Sequence, residues 1–174
     1  MLVLAPGLSA CGDDGSSDDA ASDETTTSAD TTSTTAASST TLSAEQEVLA
    51  AYEAANDAFL AAVDPPNPEH PDLLATRTGA SLARTQSNLR GMASQGVGGN
   101  VSYESNPTDV AIDGEQATLE DCFVDHTQLY DLATGAPVGE PGTTVLNLDV
   151  TMQRVDGVWM LADGIQLEAT CEPS

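Results

Sequence analysis

The sequence predicts an α+β domain in which N-terminal helices pack on a curved antiparallel sheet. Three observations predict it. Apolar residues recur at helical spacing over 48–63, the pattern changes to period two beyond Gly96, and a self-consistent hairpin is centred on Asp156-Gly157. Helices followed by antiparallel strands form a layout in which one face of a single sheet is covered. A chain of 174 residues and 17.8 kDa holds one such domain with room for a tail.

The elements follow in order. Ser43 and Gln46 form a capping box for the first helix, and Val48, Tyr52, Ala55, Phe59 and Val63 supply its buried stripe. Glu45, Glu47, Glu53 and Asp57 favour the helix dipole, and Pro65-Pro66 end the helix. Pro71 opens a short helix carrying Leu73 and Leu74. A third helix follows Gly79, with Leu82, Leu89 and Met92 inward and Gly96 as its stop. Arg77, Arg84 and Arg90 all fall in this region. His70, between two prolines in chain order, is expected in a solvated turn.

Val101 and Tyr103 begin the alternation, and Val110 and Ile112 continue it to an Asp113-Gly114 turn. Residues 117–130 read as a long strand, and Thr134-Gly135 and Pro141-Gly142 as a connection. Residues 145–155 and 158–169 form the hairpin. Its two-residue loop places Val155 opposite Val158, Met152 opposite Leu161, Leu148 opposite Ile165 and Leu146 opposite Leu167, an apolar face fit to cover a core. Asp163-Gly164, opposite Val150, is the expected bulge. Arg154 faces Trp159, either as a cation–π partner or as surface cover for the indole.

Composition excludes several functions. The net charge is −24, with four arginines and no lysine. Phosphate recognition needs clustered cations, so a nucleic-acid partner is not expected. Electrostatic docking on anionic lipid is excluded for the same reason. The missing lysine beside abundant Ala, Asp and Thr fits a GC-rich genome, with a high-salt habitat as the alternative. No apolar run approaches the roughly 18 residues of a membrane-spanning helix.

The N-terminal segment reads as an address. Leu8-Ser9-Ala10-Cys11 follows a mostly apolar start and resembles the lipobox of bacterial lipoproteins. The resemblance implies a lipid thioether on Cys11, cleavage before it, residues 1–10 as a partial signal peptide, and an extracytoplasmic location on the cell membrane. Residues 11–42 are rich in Ser, Thr and Asp and lack aromatics, a composition that cannot offset backbone entropy by burial. This tether spans roughly 30 Å as a coil and about 100 Å when straight. Its Asp run lacks the alternating spacing of a calcium loop. The folded domain is expected over 43–174.

That domain resembles the nuclear transport factor 2-like, cone-shaped domains (cystatin-like in architecture), and in particular a group of small lipoproteins of GC-rich bacteria. The similarity lies in the lead helix 48–63, Ala117-Thr118-Leu119-Glu120-Asp121-Cys122, Ala133-Thr134-Gly135-Ala136-Pro137-Val138, Arg154-Val155-Asp156-Gly157-Val158-Trp159 and the terminal Cys171. It implies a pocket between sheet and helices. Relatives include isomerases, cyclases, dehydratases and epoxide hydrolases that use pocket Asp, His or Tyr for proton transfer.

With Cys11 lipidated, an even pair of thiols is left for an oxidising compartment, and a Cys122–Cys171 disulfide is expected. In a plain meander Cys171 ends far from Cys122. Either the tail folds back after Gly164 or the strand order is not a simple meander.

Candidate pocket residues are Tyr52, Tyr103, His126 and Tyr130. His126 shares a strand face with Cys122, Val124 and Tyr130. If that face points inward, the imidazole lies over Leu148 and suits acid–base work; otherwise it is a rim residue. Asp121 and Asp125 share the other strand face with Phe123; such a pair can do acid–base work or hold a cation, but in so acidic a chain it reads as a solvent face. No cofactor or metal is expected. The two histidines lie far apart, Gly96-Val97-Gly98-Gly99 has the wrong order of elements for a dinucleotide, and the phosphate-loop lysine is absent. Three functions are therefore carried forward. The first is a tethered binding or accessory module for a small apolar ligand or an envelope protein. The others are a pocket isomerase or hydrolase using His126 or a buried Asp, and a structural surface lipoprotein.

Overall fold

A computed structural model describes residues 42–173; the lipobox and almost all of the tether lie outside them. Ser43 caps the first helix, α1 (Ala44–Val63), through a complete capping box. The Ser43 hydroxyl accepts from the Gln46 amide at 3.2 Å, and the Gln46 side chain accepts from the Ser43 amide at 2.9 Å. Pro71 starts α2 (Pro71–Thr76), with His70 at its N-cap and mostly covered rather than in an open turn. Helix α3 (Gly79–Gln95) ends on Gly96 at φ 69°, a left-handed cap that favours glycine.

The strands are β1 (Val97–Glu104), β2 (Pro107–Asp113), β3 (Gln116–Asp131), β4 (Pro137–Val155) and β5 (Val158–Gln166). They form one antiparallel sheet in the order β1-β3-β4-β5, and β2 pairs with β3. β1 lies along residues 124–131 of β3 and β2 along 116–121, so the two act as one edge strand broken at Ser105-Asn106. The sheet is thus a meander, covered on one face by the helices. Val48, Tyr52 and Ala55 of α1 pack on Ala117, Leu119, Val150, Met152, Trp159 and Leu161. A second cluster joins Ala62, Val63, Leu73 and Leu89.

Two registers differ from expectation. The hairpin pairs Val155 with Val158, Arg154 with Trp159 and Met152 with Leu161, but the bulge falls at Ala162, before Asp163-Gly164. The α2–α3 junction docks there. Thr78 N–H donates to the Leu161 carbonyl at 2.9 Å, Arg77 bridges Leu161, and a Cβ on Gly79 would stand 3.3 Å from the Ala162 oxygen. One extra residue reverses the faces that follow it. Asp149, not Leu148, therefore opposes Ile165, which is exposed, and Leu148 opposes Gln166. Pro141-Gly142 is not a connection. β4 already starts at Pro137, and Pro141 sits in a bulge opposite Gln128, where no ladder amide is needed.

The Cys122–Cys171 disulfide is present, with Cα atoms 5.7 Å apart. Of the two routes left open, the tail takes the first. β5 stops at Gln166, Leu167 N–H donates to the Asn147 carbonyl at 2.8 Å, and the chain turns back across β4 to Cys122, whose own partner on β4 is Asn147.

Arg154 lies 5.7 Å from the Trp159 ring centroid, within cation–π range. The indole is buried in the main core cluster rather than at the surface.

Candidate ligand-binding cleft

The odd-numbered face of β3 points to the helices, and this decides where each candidate residue lies. Asp121 is fully buried, not on a solvent face. Its Oδ2 accepts from the Tyr52 hydroxyl at 2.7 Å and the Ser105 hydroxyl at 2.8 Å, and its Oδ1 from the Asn106 amide at 2.7 Å. The carboxylate thus pins α1 to the point where the edge strand breaks. Burial, then the charge and hydrogen bond of Asp121, raise the Tyr52 pKa far above its ordinary value, against the opposing effects of Asn56 and Arg77. The Tyr52 proton is held and the phenol stays neutral.

Phe123 and Asp125 follow Asp121 on the same face, and beside them a cleft opens between the sheet and helices α1 and α3. Its apolar part is a cavity of about 180 Å3, lined chiefly by Phe59, Val63, Met92, Val101, Leu129 and Leu146. Tyr103 borders it, stacked on Phe123 with centroids 5.3 Å apart and donating to Asp57 at 2.7 Å. Burial first, then Asp57, raises the Tyr103 pKa. The polar part is an adjoining cavity of about 240 Å3, where Asn56, Arg77, Ser81, Thr85 and Asn88 face Leu148 and Leu161. Asn56 and Phe123 border both cavities, which lie side by side between the sheet and the helices. A broader depression of about 480 Å3 lies over the start of α1, beside Gln46, Glu53 and Pro107.

His126 and Tyr130 are not in the cleft. The even-numbered face of β3 points away from the helices. There His126 Nδ1 is 3.0 Å from the Thr143 hydroxyl and its Nε2 is 3.6 Å from Glu104. The imidazole therefore lies on the side of the sheet opposite Leu148. Tyr130 lies over Gly98, where a Cβ would stand 2.5 Å from its ring, and donates to Asp64 at the end of α1. Of the four candidates, Tyr52 and Tyr103 line the cleft.

The residues that sequence reasoning passed over are Asn56 and Arg77. Both are more than nine-tenths buried. Arg77 donates to the Ser81 hydroxyl at 2.8 Å and to the Ala55 carbonyl at 3.1 Å. Its Nε and the Asn56 amide nitrogen have no hydrogen-bond partner in the protein; Asn56 approaches the Tyr52 oxygen without closing bond geometry. Burial lowers the Arg77 pKa to about 10, still cationic at neutral pH. The available signal was the crowding of three of four arginines into 77–90. Among the described residues no group of three or more His, Cys, Asp or Glu side chains is placed to hold a metal ion.

At the cleft mouth Arg84 meets Asp163 at 2.6 Å. Hydrogen bonds from the Arg84 side chain and then the Gly164 amide lower the Asp163 pKa. A depressed carboxylate stabilises the fold fully above its unfolded value of about 3.9 and loses that contribution as pH falls through its folded value. Both side chains are at least one-third exposed, so the loss should stay below about 1 kcal/mol. Urea midpoints at neutral and acid pH, with and without Arg84→Ala, check this: the variant should lose less stability on acidification.

No protein-family model and no curated protein matches this chain. Solved structures do. The intermembrane space region of the chloroplast protein ARC6 overlays 74% of this chain and 100% of that one, with a TM-score of 0.62 at 13% identity. That likeness shows the fold. A ketosteroid isomerase-like protein from Erwinia carotovora atroseptica overlays more loosely, at 20% identity and a TM-score of 0.43 over 68% of this chain and 93% of that one. A protein of unknown function with a cystatin-like fold from Nostoc punctiforme gives 15% identity and a TM-score of 0.36 over 72% and 92%.

Proposed function

We propose that the chain is a lipid-anchored, extracytoplasmic binding module whose helix–sheet cleft takes a small ligand with an apolar body. The observation that carries this reading is the cavity walled by Phe59, Val63, Met92, Val101, Leu129 and Leu146, a preformed apolar site. For proton transfer the cleft offers Asp125, which borders the apolar cavity and accepts from the Thr127 hydroxyl at 2.8 Å. His126 is on the far face, and the Asp121 oxygens are occupied by three donors. The address rests on Leu8-Ser9-Ala10-Cys11 and the Ser/Thr/Asp-rich segment after it.

Two measurements test the two halves. Octanol at a hundred times its dissociation constant should raise stability against urea by about 2.7 kcal/mol, whereas a midpoint that never moves contradicts the ligand reading. Intact mass of the protein from a native membrane fraction should show a diacylglyceryl adduct on Cys11. An unlipidated chain carrying three free thiols would contradict the address.

A further inference from the structure

The net charge of −24 makes every cation in this chain conspicuous. Arg84 pairs with Asp163 at 2.6 Å and Arg90 with Glu69 at 3.0 Å, and Arg154 lies over Trp159 while donating to the Gly157 carbonyl. Arg77 is different. It is the most buried of the four, and its partners are a hydroxyl and a carbonyl. No carboxylate pairs with it among the described residues, and none lines its cavity, although Asp125 borders the adjoining apolar one. A buried charge without a counter-charge is costly, and so is a buried donor without an acceptor. Arg77 Nε and the Asn56 amide nitrogen are both buried without a partner, and both residues line the same cavity. A ligand anion in that cavity would supply the missing counter-charge.

We propose that the cleft binds an amphipathic monocarboxylate, its carboxylate held by Arg77 and Asn56 and its hydrocarbon body running past Phe123 into the apolar cavity. This rests on the cleft being a ligand site and names the chemistry it selects. A planar guanidinium matches the two oxygens of a carboxylate. Arg84 is already neutralised by Asp163, which leaves one positive charge to satisfy, so a monoanion fits where a phosphate dianion would carry an uncompensated charge. Asn56 and Phe123 border both cavities, which sets the head site and the tail site side by side.

Calorimetric titration of the full chain with octanoate and with octanol separates this proposal from the reading beneath it. Octanoate is expected to bind about tenfold tighter or more, the ratio that a charge-assisted hydrogen bond supplies. Arg77→Gln should remove that preference and leave octanol affinity in place. Equal affinities in the unaltered protein, or a preference that survives Arg77→Gln, would overturn the carboxylate site while leaving the apolar cleft standing. Binding of neither probe would overturn both. If Arg77→Gln does not fold, the Arg77 Nε–H resonance of the unaltered protein decides: it should shift with octanoate and not with octanol, and a resonance that ignores octanoate would refute the site.

Discussion

Replacing Asp121 with alanine is expected to cost about 3–5 kcal/mol of stability, a large share of what a domain of this size holds. The carboxylate is fully buried and accepts three hydrogen bonds. Without it, the Tyr52 hydroxyl and the Asn106 amide are left without their acceptor, at about 1–3 kcal/mol each, and the charge-assisted bonds are lost as well. Ser105 loses least, because its hydroxyl can turn to another partner. Asp121→Asn should cost less, as it keeps the shape but places an amide donor among three donors. Urea unfolding of Asp121→Ala, Tyr52→Phe and the double variant checks the assignment. The cycle should be non-additive, since Tyr52→Phe removes one of the bonds that Asp121→Ala removes. A loss below about 1 kcal/mol for Asp121→Ala would contradict the network.

Opening the Cys122–Cys171 bond should lower stability by up to about 4 kcal/mol, because the two cysteines lie 49 positions apart and the closed loop restricts the unfolded chain. The same bond holds the segment after β5 across β4, beside Val145 and Asn147. The double substitution of both cysteines by alanine should therefore shift the urea midpoint down, and hydrogen exchange at Leu167 should speed up more than exchange at Leu119. Reductant should lower the midpoint of the unaltered protein and leave that of the double variant where it is. A midpoint insensitive to reductant would contradict this account.

Much of the fold was legible because its signals are local. The capping box at Ser43, the stripe from Val48 to Val63, the Gly96 stop and the Asp156-Gly157 loop each act within a few residues, and all four stand as read. The Ala162 bulge was not legible, because its cause is the docking of Thr78 and Gly79 from another element. The direction of the β3 faces was not legible: the His126 face stayed open, and the Asp121 face read as solvent. Alternation places Asp121, Phe123 and Asp125 together, but period two alone does not say which side meets the helices. Acidity suggested solvent, whereas Tyr52, Ser105 and Asn106 supply the donors that let Asp121 be buried. Those donors come from α1 and the broken edge strand, far from Asp121 in sequence. Arg77 escaped notice for a related reason: its burial depends on α1 and Ser81 closing around it.

The central claim is that the helix–sheet cleft is a ligand site. Methyl-resolved NMR of the full chain during an octanol titration tests it most directly. Saturable shifts are expected at Val63, Met92, Val101, Leu129 and Leu146, with little change at Val158 on the exposed hairpin end. Shifts that fail to saturate, or that spread over exposed methyls such as Val138 and Val158 while the cleft methyls stay still, would contradict it.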